Sequence, residues 1–264
     1  MSFQTGYTAY LRWAVRLPGY CLLRLVARPG SPAEVRFHLR RRLLSLARVA
    51  GVTIEKADEL VTEAKHSERL VKVEEQVGTL PYSGVFRGGP ELYALIRARK
   101  PKAVVETGVG IGYSSAYILE ALYQNGEGKL TSIDRPNTDL GWRLPSGRGP
   151  GFLVDERVRD RWNLIIGPTV EALPAALRSL GSIDIFFHDS EHTYRTMMFE
   201  FEQAGQWLGE GGLIVCDDAM WNTALLDFVR RRVLEIDLVY HRGGSAPFTV
   251  VRNGSGGRTS MGAL

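Results

Sequence analysis

The run Val104-Val105-Glu106-Thr107-Gly108-Val109-Gly110-Ile111-Gly112-Tyr113-Ser114-Ser115 constrains this chain more than any other feature. An apolar strand leads into an acidic residue, then into glycines at every second position, then into small hydroxyl residues that open an apolar helix. Glycine is required where the backbone takes a positive φ or must admit a ligand without a Cβ in the way. A strand-to-helix turn also points free helix N–H groups at such a ligand. The dinucleotide fingerprint spaces its glycines as G-x-G-x-x-G. Here the third glycine falls one residue early, at Gly112, and Tyr113 takes the customary last position, while Glu106 stands two residues before the first glycine. A carboxylate facing a pyrophosphate would repel it, whereas one facing the ammonium of an amino-acid-bearing nucleoside would attract it.

A second landmark lies 22 residues beyond Gly112, where Lys129-Leu130-Thr131-Ser132-Ile133-Asp134 reads as a short strand ending in a carboxylate. In nucleoside-binding folds of this kind such an acid accepts hydrogen bonds from the ribose hydroxyls. An Asp that merely caps the following loop is the competing reading. Nicotinamide enzymes place an acid in the same way, so the choice of cofactor rests on Glu106 and the glycine spacing.

That spacing resembles the E/D-x-G-x-G-x-G signature of class I S-adenosylmethionine-dependent methyltransferases. The resemblance implies a cofactor site built from Glu106, Gly108, Gly110, Gly112, Ser114, Asp134 and Asp189. The order of elements agrees with it. Helical patterns over Ser114 to Tyr123, Ala172 to Leu180 and Tyr194 to Leu208 alternate with strand patterns at Leu130 to Asp134, Asn163 to Ile166, Ile183 to His188 and Leu213 to Asp217. Such alternation predicts an α/β fold with a doubly wound parallel sheet. Asp237 to His241 and Pro247 to Val251 read as a closing hairpin. The expected fold is therefore a Rossmann-like, seven-stranded, mostly parallel sheet with one antiparallel strand, preceded by an N-terminal helical arm.

The second constellation is Phe186-Phe187-His188-Asp189-Ser190-Glu191-His192-Thr193-Tyr194, with Cys216-Asp217-Asp218 a strand, helix and strand later. Ligands of an open parallel sheet bind outside the carboxyl ends of its strands, which places Asp189 and Asp217 at the same edge as Glu106 and Asp134. Like charges gathered in a cleft need a cation to offset them. That cation is either a sulfonium cofactor, a hard divalent metal held by oxygen, or both. The segment Ile183 to Asp218 resembles bacterial small-molecule O-methyltransferases of the macrolide-sugar type, with D-x-x-H followed by an acidic pair after strand five. The resemblance implies that Asp189, Asp217 and Asp218 hold Mg2+ and that His192 is the catalytic base. Each has a plainer alternative: Asp189 as a turn cap, His192 as a helix cap, the acidic pair as helix-entry acids. His188 is expected to be buried beside its strand, and Phe186, Phe187, Trp207 and Trp221 to form core or pocket walls.

At 264 residues the chain can bury a sizeable core, and 44% hydrophobic with 23% charged residues is ordinary for a soluble globular protein. Cys21 and Cys216 lie in unlike contexts, so no disulfide framework is indicated and a cytoplasmic location is the default. No apolar run is long enough for a transmembrane span, and the start lacks the charged region of a signal peptide. The net charge of +4 comes largely from the first fifty residues, where Arg12, Arg16, Arg24, Arg28, Arg36, Arg40, Arg41, Arg42 and Arg48 meet only Glu34. This reads as two or three basic amphipathic helices. Three roles stay open for it: an arm packed on the catalytic domain, a peripheral membrane contact, or an anionic-polymer patch. Nucleic acid is disfavoured because no recognised binding signature follows.

Ile54 to Val77 repeats apolar residues at helical spacing and reads as one long helix that packs on the domain or pairs with a second copy in a homo-oligomer. The expected division is 1–79 for the basic helical arm, 80–252 for the methyltransferase domain and 253–264 for a flexible tail. Pro136 to Gly151 is a long Gly- and Pro-rich loop of the kind that carries function. The expected partner is a small-molecule methyl acceptor, with its hydroxyl on a sugar or another hydroxylated metabolite. Two rivals remain open at this point: an NAD(P)-dependent oxidoreductase, and a non-catalytic cofactor-binding domain docked through its arm.

Overall fold

A computed structural model describes residues 32–80, 86–135, 144, 147–232, 234–241 and 247–253, with side chains of the first helix from 39 onward. The sequence readings on 1–31, on most of the Pro136 to Gly151 loop and on the tail after Asn253 lie outside the described residues, as does Cys21. Three helices, α1 (Pro32–Ala50), α2 (Ile54–His66) and α3 (Glu68–Thr79), precede α4 (Gly89–Arg99). The alternating unit then runs β1 (Ala103–Thr107), α5 (Tyr113–Asn125), β2 (Lys129–Asp134), β3 (Trp162–Ile166), α6 (Thr169–Leu180), β4 (Ile183–His188), α7 (Tyr194–Trp207), β5 (Leu208–Cys216), α8 (Ala224–Arg232), β6 (Glu235–Val239) and β7 (Phe248–Arg252).

These strands form one seven-stranded sheet in the order β3-β2-β1-β4-β5-β7-β6. β1 pairs in parallel with β2 and β4, β2 with β3, and β4 with β5, whereas β7 runs antiparallel to both β5 and β6. The expected architecture, with one antiparallel strand near the end of the sheet, is therefore the observed one. Strands buried on both faces need apolar residues in consecutive positions, and Phe186 and Phe187 show how they are used. Phe187 joins Val104, Leu130, Ile185 and Val215 in the core under α4 and α5. Phe186 joins Val105, Ile133, Ile214 and Cys216 in the core under α6, α7 and α8. Burying each such ring contributes roughly 1.5–3 kcal/mol.

The N-terminal helices share the first of these cores. Leu43, Leu46, Ala47, Val49 and Ala50 of α1 are buried there with Leu60, Val61 and Ala64 of α2. Arg42 is almost fully buried and pairs with Glu91 at 3.1 Å. α1 also reaches the far edge of the sheet, where Arg48 lies 3.1 Å from Asp237, Ser45 Oγ accepts the Tyr240 N–H at 3.2 Å, and the Arg41 guanidinium sits 3.8 Å over the Tyr240 ring. From residue 39 onward this arm is packed against the sheet domain.

The single helix expected over Ile54 to Val77 is two helices. Ser67 takes an extended conformation (φ −65°, ψ 120°) between α2 and α3 and donates its hydroxyl to Glu120 at 3.0 Å. Beside it, Arg69 forms an ion pair with the same carboxylate. The break resets the helical face, so Leu70 and Val73 turn inward while Val71 is exposed. A sequence pattern near 3.6 residues carries over such a break, and the contacts that Ser67 and Arg69 make there with Glu120 come from a distant part of the chain. α8 escaped the sequence reading: Leu225, Phe228 and Val229 form a short buried stripe ending in three arginines. No helix among the described residues is long and apolar enough to cross a membrane.

Candidate active site

The glycine loop leaves β1 with three glycines at positive φ, and each meets a different environment. A Cβ on Gly108 (φ +84°) would lie 2.0 Å from the Asp189 carbonyl oxygen, and one on Gly112 (φ +89°) would lie 2.6 Å from the Gly151 Cα. Both positions thus exist to let two backbones touch. Gly110 (φ +52°) is different, since a Cβ there would meet nothing within 4 Å. It is the loop position that faces open space. Segment 151–153 is laced to this loop, with Gly151 N–H donating to Gly110 O at 2.9 Å and Leu153 N–H to Ile111 O at 3.1 Å.

Asp134 at the end of β2 holds the same turn. Its Oδ2 accepts the N–H of Gly110 at 2.8 Å and of Val109 at 3.2 Å, and its Oδ1 accepts the Arg135 N–H at 2.7 Å. An ionised carboxylate has about four acceptor sites, so Asp134 keeps capacity on Oδ1. Glu106 lies beneath the loop and is fully buried, accepting hydroxyls from Ser114, Ser115 and Ser132, each at 2.6 Å. Burial pushes its carboxyl above the usual range and the three hydroxyls act against that push. The serines that open α5 are therefore partners of Glu106, and Ser114 turns its hydroxyl inward rather than to the cleft.

At the ends of β4 and β5 the remaining candidates come together. Asp189 N–H donates to Thr107 O at 2.9 Å and Asp217 N–H to His188 O at 3.0 Å, so the acids extend the ladder of the strands that carry them. Asp189 keeps 23% of its side chain exposed, yet burial and then the charges of Asp217, Asp218, Glu106 and Asp134 raise its carboxyl well above the ordinary range. Burial followed by the charge of Asp218 raises Asp217 to about 6. Asp218 sits at φ +47°, a left-handed backbone uncommon outside glycine that is associated with functional turns.

His192 stands between these acids, with Nε2 at 3.9 Å from Asp189 Oδ1 and Nδ1 at 3.8 Å from Asp218 Oδ2. Both distances exceed hydrogen-bond reach, and Nε2 is buried with no hydrogen-bond partner among the described residues. Burial, with the neighbouring His188, lowers its pKa from the ordinary imidazole value against the opposing pull of Asp218 and Glu200. The neutral imidazole is the favoured form. Asn222 fixes its backbone by donating to the His192 carbonyl at 3.0 Å, and the exposed Trp221 ring lies 5.8 Å from the imidazole. Trp221 is thus at the rim of the site rather than in the core.

The cluster suits a hard divalent cation in donor type, being three carboxylates whose recorded acidic neighbours all add to the negative charge. Among the described residues, however, no three such side chains are drawn together as a metal-binding set. A nucleoside cofactor fits the other half of the cleft, where Gly110 leaves room and Asp134 retains an acceptor.

One buried neighbour of the site was not legible beforehand. Glu200, on α7, is fully buried under the strand ends and contacts His188, Thr107 and Ser190. A signal existed: Met197, Phe201 and Ala204 mark the buried face of α7, and Glu200 falls on that face as its one acid. His188 is buried as expected.

Residues 105–219 match the family described as Methyltransferase domain. A caffeoyl-CoA O-methyltransferase of Stellaria longipes is 29% identical over 170 residues, covering 60% of this chain and 63% of that protein. The chain therefore spans a little under two thirds of the length of this curated relative. Among solved structures, the O-methyltransferase TomG of Streptomyces achromogenes, in complex with S-adenosylmethionine, superposes with a TM-score of 0.52 at 19% identity, covering 72% of this chain and 91% of that one. A putative caffeoyl-CoA O-methyltransferase of Staphylococcus aureus superposes with a TM-score of 0.53 at 16% identity, covering 76% and 100%. At these identities the two structures share the fold.

Proposed function

We propose that this chain is a class I S-adenosylmethionine-dependent methyltransferase, a reading supported by the match of residues 105–219 to a methyltransferase domain family, and that it methylates an oxygen of a small-molecule hydroxyl, on a sugar or another hydroxylated metabolite. The observation that carries the reading is the placement of His192: a buried imidazole nitrogen without a hydrogen-bond partner, between two acids at the carboxyl ends of β4 and β5. The bound cofactor supplies an electrophilic methyl group on a sulfonium. Gly110 and Asp134 supply the room and the acceptor for its nucleoside. With cofactor and acceptor bound, His192 would accept the proton of the acceptor hydroxyl on Nε2 as that oxygen takes the methyl group. The lowered pKa keeps this nitrogen free to accept a proton at neutral pH. Positioning supplies the rest, since holding the oxygen in line with the methyl group can remove several kcal/mol, up to about 7–11, from the barrier.

Magnesium assistance belongs to the same proposal. Asp189, Asp217 and Asp218 would hold the ion, and it would offset their charge and stabilise an acceptor oxyanion. What supports this is the gathering of the three acids at the ends of β4 and β5, where burial first, and then neighbouring carboxylates, raises the pKa of Asp189 and of Asp217. For residues 39–50 the packing onto the sheet supports the docked-arm role; peripheral membrane contact and pairing with a second copy are the other roles that remain for the N-terminal helices.

Calorimetry with S-adenosylhomocysteine, followed by methyl-transfer assays on a panel of sugars and hydroxylated metabolites, tests the reading. Tight nicotinamide binding with no affinity for S-adenosylhomocysteine would sink it. Affinity for S-adenosylhomocysteine with transfer to a hydroxyl, abolished in His192→Ala, is the expected result.

A further inference from the structure

One buried carboxylate reaches every backbone segment that places Asp189. Glu200 Oε2 accepts the Thr107 hydroxyl at 2.6 Å and lies 2.6 Å from His188 Nδ1, while its Oε1 accepts the Ser190 hydroxyl at 2.7 Å. His188 and Ser190 flank Asp189 in sequence, and Thr107 binds it through space by accepting its N–H at 2.9 Å. The backbone of Asp189 in turn presses on Gly108, where the approach leaves no room for a Cβ. His188 adds two further links: its carbonyl accepts the Asp217 N–H at 3.0 Å, and its ring stands edge-on to the His192 ring with centroids 5.6 Å apart.

We propose that Glu200 is a positioning residue for methyl transfer, locking Asp189 and His192 into working geometry through Thr107, His188 and Ser190. The inference rests on the reading of His192 as the base. A purely structural role fits the residue poorly. α7 already packs through Met197, Phe201 and Ala204, and a buried carboxylate carries a desolvation cost that an apolar residue at this face would avoid. All three recorded side-chain partners of Glu200 lie at the ends of β1 and β4, beside the glycine loop and the acids. Both oxygens of Glu200 are engaged, by Thr107 and His188 on Oε2 and by Ser190 on Oε1, while the second ring nitrogen of His188 is buried without a hydrogen-bond partner among the described residues. A buried carboxylate held from three sides restricts the groups that hold it, and a displacement of about 1 Å at a reacting centre can cost about 100-fold in rate.

The test is a double-mutant cycle between Glu200→Gln and His192→Ala, followed with radiolabelled methyl groups so that slow variants stay measurable. In the parent background Glu200→Gln is expected to lower kcat by at least about tenfold. Its affinity for S-adenosylhomocysteine, read by calorimetry, should stay within about twofold. In the His192→Ala background the same substitution should cost at least about threefold less in kcat than in the parent, because one of the two groups it positions is gone while Asp189 remains. Equal loss in both backgrounds, or an unchanged kcat in the parent, overturns the proposal. Should Glu200→Gln fail to fold, Ser190→Ala and Thr107→Val each remove one contact while leaving the carboxylate, and the same two criteria apply to them. Full turnover by His192→Ala alone would overturn the base reading and this inference with it, and is distinguished because it is seen before Glu200 is altered.

Discussion

Asp134 Oδ2 accepts the Gly110 N–H at 2.8 Å, so the acid that ends β2 also fixes the glycine-loop turn that faces open space. One carboxylate thereby shapes the loop, and in the proposed reading the same carboxylate accepts the ribose hydroxyls of the cofactor. Asp134→Ala should therefore weaken S-adenosylhomocysteine binding by about 10- to 100-fold, from charge-assisted bonds contributing roughly 1.5–3 kcal/mol. Unchanged affinity by calorimetry in folded protein would remove Asp134 from the site.

The three glycines should fail in different ways. Gly108→Ala places a Cβ 2.0 Å from a backbone oxygen and should prevent correct folding. In Gly110→Val the Cβ meets nothing within 4 Å among the described residues, and the left-handed backbone is strained by about 1–2 kcal/mol. The variant should fold and lose cofactor binding. A Gly110→Val protein that melts normally and binds normally would contradict the assignment of the open space to the cofactor.

Activity should fall as pH falls, with the sign set by His192. The base works as neutral imidazole, and its pKa is lowered from the ordinary value of about 6.5, so the acid limb of kcat/KM should inflect below that value and the rate should be level from pH 7 to 8. His192→Ala should cost about 10²- to 10⁴-fold in turnover and lose that inflection. An inflection above pH 7 that survives in His192→Ala would assign the proton transfer elsewhere.

Asp217 opposes folding when ionised. Its native pKa is about 6, above the value of about 3.9 expected for the unfolded chain, so the native state holds more protons between those pH values. Stability from this group is greatest below about pH 4, declines as pH rises through about 6, and stays low above it. In chelator at pH 7, Asp217→Asn should accordingly raise the unfolding free energy, by on the order of 2 kcal/mol, while reducing activity. Denaturant melts showing a loss of stability would refute the cost assigned to burying the ionised Asp217 beside Asp218. Millimolar magnesium should raise the melting temperature of the parent protein and not of Asp189→Ala, since a ligand that binds only the native state stabilises it by mass action. No shift in the parent would leave the acids without a metal role.

The arm can be tested at its buried ion pair. Arg42→Ala leaves Glu91 buried without its partner, and breaking such a pair typically costs about 3–5 kcal/mol, whereas Arg42→Met with Glu91→Leu should recover most of it. Binding of the full chain to anionic vesicles that falls with salt would add a membrane role to the arm. Salt-independent absence of binding would confine it to packing.

The sequence by itself determined the alternation of strands with helices and the placement of the candidate acids at the strand ends, because those depend on local patterns. The stretch Ile183 to His188 is a strand at its expected limits, and Asp134, Asp189 and Asp217 stand at or just past strand ends because the apolar runs stop there; Glu106 is buried inside β1 only because three serine hydroxyls satisfy it. The tertiary structure decided which of those residues face the cleft. Glu106 and Gly108 are adjacent to Gly110 in the motif, yet Glu106 is buried under three serines and Gly108 against Asp189, which only the approach of β2, β4 and α5 can dictate. At the break Ser67 meets Glu120, 53 residues away, and the inward Glu200 meets Thr107, 93 residues away. Contacts at such separations leave no periodicity in the chain, since a buried polar group is stable only once its distant partner has arrived to satisfy it.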